Sequence, residues 1–388
     1  MSENRRYRVL HIFSAYGGGV SSLILNLLEN KTEDFDFDIM AFSYDKGEMF
    51  LGKMNGLGTE CFLMPRPKKE GFKTFKKYVQ DVFSAKQYDA IHCHIDGWKA
   101  YPFYKAAKKA KIKSFIFHAH KTKYESRFDR IPLMRWVNKF SNFHFSTDYM
   151  TCSDLAAEYI FGKRYLKKRK AVLIPNGMNV ARFEERLPEE KKNAYKEEFG
   201  VNENDFVIAH VGRFSFQKNH KFMLSIIKGL KERNAAFCFL FVGSGELFEE
   251  IKNLAKEMNI TENIRFLWHR NDIPLLMQYA DLLILPSLWE GLPTVSVECQ
   301  AAGTAMLLSN TITPQSDMGL GLLEVLPIDD PNVWVEKIID RMTSDRVKKD
   351  VSDCVNKIVE KGFTAQAAGR LYCSQLESII LSHQREQK

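Results

Sequence analysis

The stretch Ala280-Asp-Leu-Leu-Ile-Leu-Pro-Ser-Leu-Trp-Glu-Gly-Leu-Pro-Thr-Val-Ser-Val-Glu298 contains a strand, a loop and the start of a helix. The apolar run Leu282 to Leu285 is stopped by a proline, which is typical of a buried strand in a parallel sheet. Residues 287–293 carry the glycine and proline of a loop. A helix is predicted from Thr294, as its N-cap, to about Ala302. This order places a helix N-terminus at the carboxyl edge of a sheet, where anions and hydroxyl groups bind.

Two carboxylates flank this corner. Glu290 lies in the loop and Glu298 lies about one turn into the helix. Glu298 is positioned to accept hydrogen bonds from a vicinal diol, as carboxylates do when they hold ribose. Taken alone, the two residues also fit a solvated loop and a solvated helix surface.

A second strand–loop–helix unit lies upstream. Phe206 to Val211 is predicted as a strand and His220 to about Glu232 as a helix, and the loop between them contains Arg213 and Lys218. Arginine offers a planar fork to phosphate and lysine a point charge, so the pair suits a diphosphate near a helix N-terminus. Basic surface residues are also commonly only solvated.

Strands and helices alternate along both halves of the chain, which predicts an α/β fold with two doubly wound, Rossmann-like domains facing a central cleft. We assign residues 1–183 to the first domain and 184–365 to the second. Residues 366–388 form a C-terminal helix expected to pack back on the first domain.

In the first half, a strand is followed by a glycine-rich turn that includes Gly17 and Gly18. Two later strands end in His-x-His, at residues 92–94 and 118–120. One histidine of each pair is expected to face the ligand side and the other to pack inside, without a metal. Residues 34–38 alternate Asp and Phe, which indicates a strand rather than a metal-binding D-x-D.

The two glutamates with seven residues between them resemble the E-x7-E signature of the retaining family 4 glycosyltransferases of GT-B fold. The resemblance covers most of the chain. Within the family, Gly-Arg-Phe-Ser-Phe-Gln-Lys-Asn-His and Glu-Cys-Gln-Ala-Ala-Gly are most similar to bacterial capsular and exopolysaccharide transferases. Trp268 and Ala305 depart from the pattern, since Gly and Pro are common at those positions.

The resemblance implies a role for each motif residue. Arg213 and Lys218 would grip the diphosphate of a nucleotide-sugar, with UDP expected as the nucleotide, and Glu298 would hold its ribose. Glu290 and His120, rather than His118, would contact the donor sugar. The remaining assignments are these: the loop amides of Gly291, Leu292 and Pro293 touch sugar or phosphate, Gly243, Arg270 and Asn271 frame the base, and Gly17 and Gly18 face phosphate or acceptor. No metal or other cofactor is implied, because the basic residues neutralise the charge of the diphosphate.

Charge is unevenly distributed along the chain. Residues 1–190 hold 33 Lys and Arg against 22 Asp and Glu, whereas the whole chain has a net charge of +8. The basic half suggests an anionic partner: a lipid-diphosphate-linked glycan acceptor or an anionic membrane. Nucleic acid is disfavoured because the basic stretch 163–170 has few aromatic residues to stack on bases.

The predicted helix Lys68 to Lys86 pairs a Phe/Val face with many lysines, the composition of an interfacial helix. Its apolar face also fits ordinary packing against the sheet. Seven scattered cysteines without C-x-x-C and the lack of a long apolar run predict a reduced, cytoplasmic protein, peripheral to the inner face of the membrane. An epimerase and a non-catalytic nucleotide-sugar-binding protein are alternatives on the same fold.

Overall fold

The computed structural model describes residues 6–16, 19–44, 47–123, 131–344 and 347–385. The chain divides into two compact units. One consists of Met1–Gly177 together with Phe363–Lys388, and the other of Met178–Gly362. The chain thus passes into the second unit a few residues before position 183, the predicted boundary.

The first unit is built on a parallel sheet. Its described strands are β1 (Tyr7–Phe13), β2 (Phe35–Ala41), β3 (Cys61–Leu63), β4 (Ala90–Cys93), β5 (Ser114–Ala119), β6 (Asp148–Thr151) and β7 (Ala171–Leu173). They are arranged in the order β3-β2-β1-β4-β5-β6-β7, with every pairing parallel. Asp38 on β2 is buried and accepts hydrogen bonds from Lys86 and Tyr88, so the Asp/Phe alternation is a strand, as predicted.

The helices of this unit are α1 (Gly19–Glu29), α2 (Glu48–Gly56), α3 (Pro67–Glu70), α4 (Phe72–Ala85), α5 (Tyr101–Lys109), α6 (Pro132–His144), α7 (Asp154–Ile160) and α8 (Lys163–Leu166). The helix predicted over residues 68–86 is broken at Gly71, whose φ of 88° is incompatible with a helix. The apolar face of α4 is buried, because Phe75, Val79 and Phe83 pack inside the unit. That face is therefore not available to a membrane, and the prediction of an interfacial helix at this place was wrong.

Helix α6 reverses the usual amphipathic pattern. Its buried side chains are polar: Asn138, Ser141 and Asn142. The Asn142 side chain accepts a hydrogen bond from the Gly97 amide at 2.6 Å and donates one to the Ile160 carbonyl at 3.0 Å. These bonds satisfy the buried amide and anchor the helix.

The exposed side of α6 is apolar. Leu133, Trp136 and Phe140, which we call the α6 face, are 66%, 58% and 40% exposed. Their spacing of three and four residues places them along one side of the helix. The rings of Trp136 and Phe140 lie 5.3 Å apart and stack. Contiguous exposed apolar residues of this kind mark an interaction surface.

The second unit has a parallel sheet of its own. Its described strands are β8 (Phe206–Val211), β9 (Phe237–Val242), β10 (Ile264–Leu267), β11 (Leu282–Leu285), β12 (Ala305–Ser309) and β13 (Leu323–Leu326), in the order β10-β9-β8-β11-β12-β13. The chain order reverses between β8 and β11, which are paired in parallel. In sheets of this type, ligands bind where the order reverses, outside the carboxyl ends of the strands.

The helices of the second unit are α9 (Glu189–Phe199), α10 (His220–Glu232), α11 (Phe248–Glu257), α12 (Ile273–Tyr279), α13 (Thr294–Ala301), α14 (Pro331–Thr343) and α15 (Val351–Glu360). The predicted N-cap at Thr294 was wrong. Pro293 is the capping residue, with extended backbone and no side-chain hydrogen bond. Thr294 is already the first helical residue.

The last helix, α16 (Ala365–Arg385), belongs to the first unit. Tyr372, Leu376 and Ile380 join the apolar core that β1, β2 and α1 form. Gly369 lies directly against α1, since a Cβ there would come within 2.3 Å of the Asn30 carbonyl oxygen. The C-terminal helix thus packs back on the first domain, as predicted.

Candidate functional site

Lys218 and Glu290, which were predicted separately, are in direct contact. The Lys218 Nζ lies 2.7 Å from Glu290 Oε1, and only 15% and 9% of the two side chains are exposed. Gln217 Nε2 donates to the other carboxylate oxygen at 2.9 Å. The two loops meet because they follow β8 and β11, which are neighbours in the sheet. The result is a buried ion pair at the edge where ligands bind.

Further hydrogen bonds fix the two loops together. Asn219 donates through its side chain to the Pro286 carbonyl at 3.1 Å, and the Leu288 amide donates to the Gln217 carbonyl at 2.8 Å. Asn219 has a φ of 60°, a left-handed conformation that asparagine tolerates better than most residues. It ends a 3-10 turn over Phe216–Lys218 and starts α10. This geometry presents Lys218 at the helix N-terminus.

Arg213 lies earlier on the same loop and is 60% exposed, with Glu246 3.5 Å away. The loop is held by the turn after β9. A Cβ on Gly243 would come within 2.2 Å of the Gly212 carbonyl oxygen, and the Gly243 φ of 136° is one that L side chains rarely adopt. Glycine is therefore required there for the two turns to approach each other.

Glu298 lies on α13 and is partly buried. Burial raises the pKa of its carboxyl, and the nearby Arg182 offsets this in part. Among the residues that the structure describes, none hydrogen-bonds to or ion-pairs with this carboxylate. A carboxylate that is partly buried and lacks a hydrogen-bond donor is costly to keep charged. Such a group suits a ligand that brings its own donors.

The loop before α13 is mostly buried. Leu292 and Pro293 are buried, and Gly291 is half-buried. Pro293 accepts a hydrogen bond from the Ser296 hydroxyl at 2.8 Å, which closes the first turn of α13. Backbone amides at a helix N-terminus such as this one are groups that can bind an anion.

Arg270 is strongly engaged within its own unit. Its guanidinium bonds to Asp272 at 2.8 Å and to Glu198 at 2.5 Å, and it lies over the rings of Tyr195 and Phe199. The contact of Arg270 and Asn271 with the base of a nucleotide stays a prediction. Because the Arg270 guanidinium is already paired, it is the backbone of Arg270 that is available for this contact. Trp268 is more than half exposed and lies against Phe248, with ring centroids 4.3 Å apart.

His120 belongs to a cluster in the first unit. Histidines near the carboxyl ends of three neighbouring strands meet on one face of the sheet with a tyrosine from α16: His11, His92, His94, His118, His120 and Tyr372. The expectation that one histidine of each His-x-His pair would face away was wrong. Residues 92 and 94 lie two apart along an extended chain, and so do 118 and 120; such residues face the same way.

The cluster forms one continuous hydrogen-bonded chain. From His120, Nε2 lies 2.7 Å from His94 Nδ1, and His94 Nε2 lies 3.1 Å from His11 Nδ1. Beyond His11, the Tyr372 hydroxyl bonds to His11 Nε2 at 3.1 Å and to His92 Nδ1 at 2.5 Å.

His92 Nε2 then lies 3.1 Å from His118 Nδ1, which ends the chain. We call these five histidines and Tyr372 the histidine chain. Sequence reasoning missed His11 and Tyr372. The position of His11 on β1 could have indicated that it belongs to the cluster. No pattern in the neighbouring residues indicates this for Tyr372.

Burial keeps the chain uncharged. It lowers the pKa of His11 and of His120 to about 3, with the charge of Lys121 as a smaller cause at His120, and it also lowers the pKa values of His92, His94 and His118. Neutral imidazoles are the form that binds transition metals. Two groups have a ligand nitrogen from each member within 4.8 Å of the others: residues 11, 92 and 94, and residues 94, 118 and 120.

Two predicted residues, Gly17 and Gly18, lie outside the described residues. The other predicted residues of the donor site all belong to the second unit, where Lys218 contacts Glu290 and Gly243 packs against the loop of Arg213. His120 belongs to the first unit.

Two family models match the chain in succession. The model described as Glycosyltransferase Family 4 matches residues 17–182, and the model described as Glycosyl transferases group 1 matches residues 191–342. The EpsF protein of Bacillus subtilis is 29% identical over 92% of this chain and 93% of its own length. An Escherichia coli enzyme named UDP-Gal:alpha-D-GlcNAc-diphosphoundecaprenol alpha-1,3-galactosyltransferase is 29% identical over 72% of each chain.

Among solved structures, HepE of Anabaena, crystallised with UDP and glucose, has a TM-score of 0.74 at 16% identity over 96% of this chain and 100% of its own. Two parallel α/β units with this similarity define the GT-B fold. More narrowly, the chain belongs to the family 4 glycosyltransferases, whose two characteristic models together span most of it.

Proposed function

We propose that this glycosyltransferase moves a hexose from a UDP-sugar to a glycan carried on a lipid diphosphate, with retention at the anomeric carbon, in the synthesis of a bacterial surface polysaccharide. The observation that carries the proposal is the buried Lys218–Glu290 pair at the carboxyl edge of the second sheet. The E. coli relative's name supports a UDP-sugar donor and a lipid-diphosphate-linked acceptor.

In this reaction, the bond between the anomeric carbon and the β-phosphate oxygen breaks, and the leaving diphosphate gains negative charge. Lys218, Arg213 and the first amides of α13 stabilise that charge. The acceptor oxygen bonds to the same face of the anomeric carbon, and the acceptor's hydroxyl proton passes to the leaving phosphate oxygen. Glu290 orients Lys218 and accepts hydrogen bonds from the donor sugar.

The remaining contacts fix the donor. Glu298 accepts hydrogen bonds from the ribose hydroxyls, and the amides of Gly291 and Leu292 contact sugar or phosphate. Gly243 and the backbone at Arg270 and Asn271 frame the base. His120 binds the donor sugar, and Gly17 and Gly18 contact phosphate or acceptor.

The test is a thermal-shift screen of nucleotide-sugars, followed by transfer to a lipid-linked acceptor and NMR of the product. UDP-sugars are expected to raise the melting temperature more than GDP- or dTDP-sugars, because a bound ligand stabilises the folded state. The product is expected to keep the anomeric configuration of the donor. An inverted product would contradict retention, release of an epimerised nucleotide-sugar would indicate an epimerase, and binding without turnover would indicate a scaffold.

We expect activity to persist without divalent metal. The carboxylate of Glu290 is paired with Lys218, and Asp38 is bonded to Lys86 and Tyr88, so neither is free to hold a metal beside the diphosphate. Turnover in EDTA is expected to stay within about twofold of turnover with Mg²⁺, because Arg213 and Lys218 supply the positive charge. Loss of activity in EDTA that Mn²⁺ or Mg²⁺ restores would contradict this.

A lipid-linked acceptor would lie in an anionic membrane. We propose that the enzyme binds this membrane through the α6 face. No described helix is both long enough and apolar enough to cross a bilayer. The α6 face carries an exposed tryptophan, a residue enriched at membrane interfaces. We therefore propose a cytoplasmic enzyme bound reversibly to the inner face of the membrane.

Exposed basic residues lie on α6 itself and in the segment that starts at α8. Arg135 on α6 is exposed, and Lys139 lies beside Gly162, where α8 begins. The tyrosine of α8, Tyr165, stacks on Phe143 with centroids 4.7 Å apart, which keeps the two helices together. The segment that starts at α8 adds further exposed cations: Lys163, Arg164, Lys167, Lys168 and Lys170. Each basic residue near an anionic surface contributes about 1 kcal/mol.

Sedimentation with vesicles tests this attachment. The triple change Leu133→Ser, Trp136→Ser and Phe140→Ser is expected to weaken binding to anionic vesicles more than tenfold, because it removes the apolar contact while leaving every charge. Binding of the unchanged protein is expected to grow with anionic lipid content and to weaken with salt.

The matched comparison is charge reversal on α3 and α4 at Lys69, Lys73, Lys76 and Lys77, which should weaken binding less. Equal recovery of the unchanged protein in the supernatant under every condition would contradict attachment. A larger effect from the α3 and α4 changes would indicate that the membrane-binding surface does not lie on α6.

A further inference from the structure

The histidine chain has a direction. Each neutral imidazole has one N–H and one lone pair, and a hydroxyl both donates and accepts. In an unbroken chain each member therefore donates to the next in the same sense. Two senses are available. In one, every histidine carries its proton on Nδ1; in the other, every histidine carries it on Nε2.

The end of the chain at His118 decides between the two senses. His118 is 3% exposed, and its Nε2 has no hydrogen-bond partner among the described residues. If the protons were on Nε2, this atom would be a buried N–H without an acceptor. With the protons on Nδ1, it is only an unused lone pair. Orphaned buried N–H groups are rarer in proteins than acceptors with spare capacity, so the Nδ1–H sense is favoured.

The other end of the chain is His120. In the Nδ1–H sense, His94 donates from Nδ1 to His120 Nε2 across 2.7 Å. The only proton of His120 is then on Nδ1, and its Nε2 lone pair is occupied. His120 can donate a hydrogen bond to a sugar hydroxyl but has no lone pair free to take a proton from one.

We propose that the histidine chain, joined through Tyr372 of the C-terminal helix, holds His120 as the Nδ1–H tautomer, so that His120 acts as a hydrogen-bond donor to the substrate and not as a general base. His11, His92, His94, His118 and Tyr372 are positioning residues in this arrangement. The proposal rests on the proposed function only where it places a sugar beside His120.

The same sense leaves the chain little capacity for a metal. Four of its five lone pairs on Nε2 are already used, three by neighbouring imidazole N–H groups and one by the Tyr372 hydroxyl. A divalent cation would need three of them at once. Binding of one Zn²⁺ per chain by protein without a histidine tag, lost on His94→Ala, would therefore overturn the proposal.

The direct test is NMR of protein labelled with ¹⁵N in histidine, in which long-range ¹H–¹⁵N correlations distinguish the two tautomers. The five histidines, assigned by single substitutions, are expected to be neutral and protonated on Nδ1 at pH 7. Nε2–H tautomers, a mixture or charged rings would overturn the proposal. This measurement needs no substrate, so it stands even if no transferase activity is found.

Tyr372→Phe tests the continuity of the chain. Loss of the hydroxyl removes the acceptor of His92, so the signals of His92 and His118 are expected to change. His120 is expected to keep its Nδ1 proton, because in the opposite sense the Nε2 proton of His11 would lack an acceptor. Tyr149→Phe removes another buried tyrosine hydroxyl of the same unit and serves as the control, with no change at the five histidines. A Tyr372→Phe spectrum identical to that of the unchanged protein would overturn the chain.

Activity then tests the role of His120. An asparagine amide can take the place of Nδ1–H, whereas a glutamine amide reaches the place of Nε2. His120→Asn is expected to keep at least tenfold more kcat/KM than His120→Gln. Equal losses with the Nδ1–H tautomers confirmed would reject the contact of His120 with the sugar, which belongs to the proposed function, and leave the tautomer assignment standing.

Discussion

Lys218→Ala is expected to lower kcat/KM by about 10²–10³-fold, the loss found when one preorganised donor to a developing negative charge is removed. Lys218 pairs with Glu290 and lies just before α10, where the helix dipole also favours a phosphate. The loss should fall mainly on kcat, because the charge on the leaving diphosphate grows in the transition state. Steady-state kinetics with saturating UDP-sugar measure it.

The loss of activity in Lys218→Ala must be distinguished from a loss of stability. Removing one partner of a buried ion pair typically costs about 3–5 kcal/mol, because the other charge stays buried. The double change Lys218→Met and Glu290→Gln removes both charges and is expected to recover most of the melting temperature while staying inactive. Recovery of activity in the double variant would contradict a direct role of Lys218.

Lys221→Ala is the matched control for the loss of a lysine. Lys221 lies one turn further along α10 and pairs with Glu250 at 2.7 Å, but both side chains are about half exposed or more. Exposed pairs contribute little, so activity and stability should stay near those of the unchanged protein. A loss of activity equal to that of Lys218→Ala would reject the assignment of Lys218 to the diphosphate.

Glu298→Gln is expected to weaken UDP binding by about 10- to 100-fold, since hydrogen bonds to a charged group contribute roughly 1.5–3 kcal/mol. Calorimetry with UDP and with 2′-deoxy-UDP makes the test specific. The unchanged protein should prefer UDP, and the variant should discriminate little between the two. A variant that keeps the full preference for UDP would show that Glu298 does not hold the ribose.

The same substitution should stabilise the unliganded protein at neutral pH. Burial raises the pKa of Glu298 above its unfolded value, near 4.3, so keeping the group charged costs stability. The contribution of the protonated group is complete below the unfolded pKa and is lost as pH rises through the folded pKa. The gain in melting temperature of Glu298→Gln should therefore be present at pH 7 and shrink toward pH 4. A variant less stable than the unchanged protein at pH 7 would contradict this.

The local sequence pattern was sufficient to predict the strands and helices of the second unit. Leu282 to Leu285 is stopped by proline, and Ile273 to Tyr279 has helical spacing, so each carries its own signal in neighbouring residues. The motif residues of this unit could be found for the same reason: they follow strand ends, and parallel strands bring their carboxyl ends to one edge.

The break at Gly71 and the burial of the apolar face of α4 were harder to predict from the sequence. A Phe/Val stripe at helical spacing is the same whether it meets a sheet or a membrane, and only the neighbouring elements decide which. The reverse holds for α6, where Asn142 points inward because Gly97 and Ile160 offer it backbone partners.

The sequence by itself determined the α/β class, the repeated strand–loop–helix order and the residues that carry charge at the strand ends, because each depends on short-range spacing and side-chain chemistry. Only the tertiary structure decided that Lys218 neutralises Glu290, that Glu298 lies partly buried, and that Tyr372 joins His11 to His92. These contacts link residues far apart in the chain. Their formation depends on sheet order and helix packing, which side-chain spacing along the sequence does not encode.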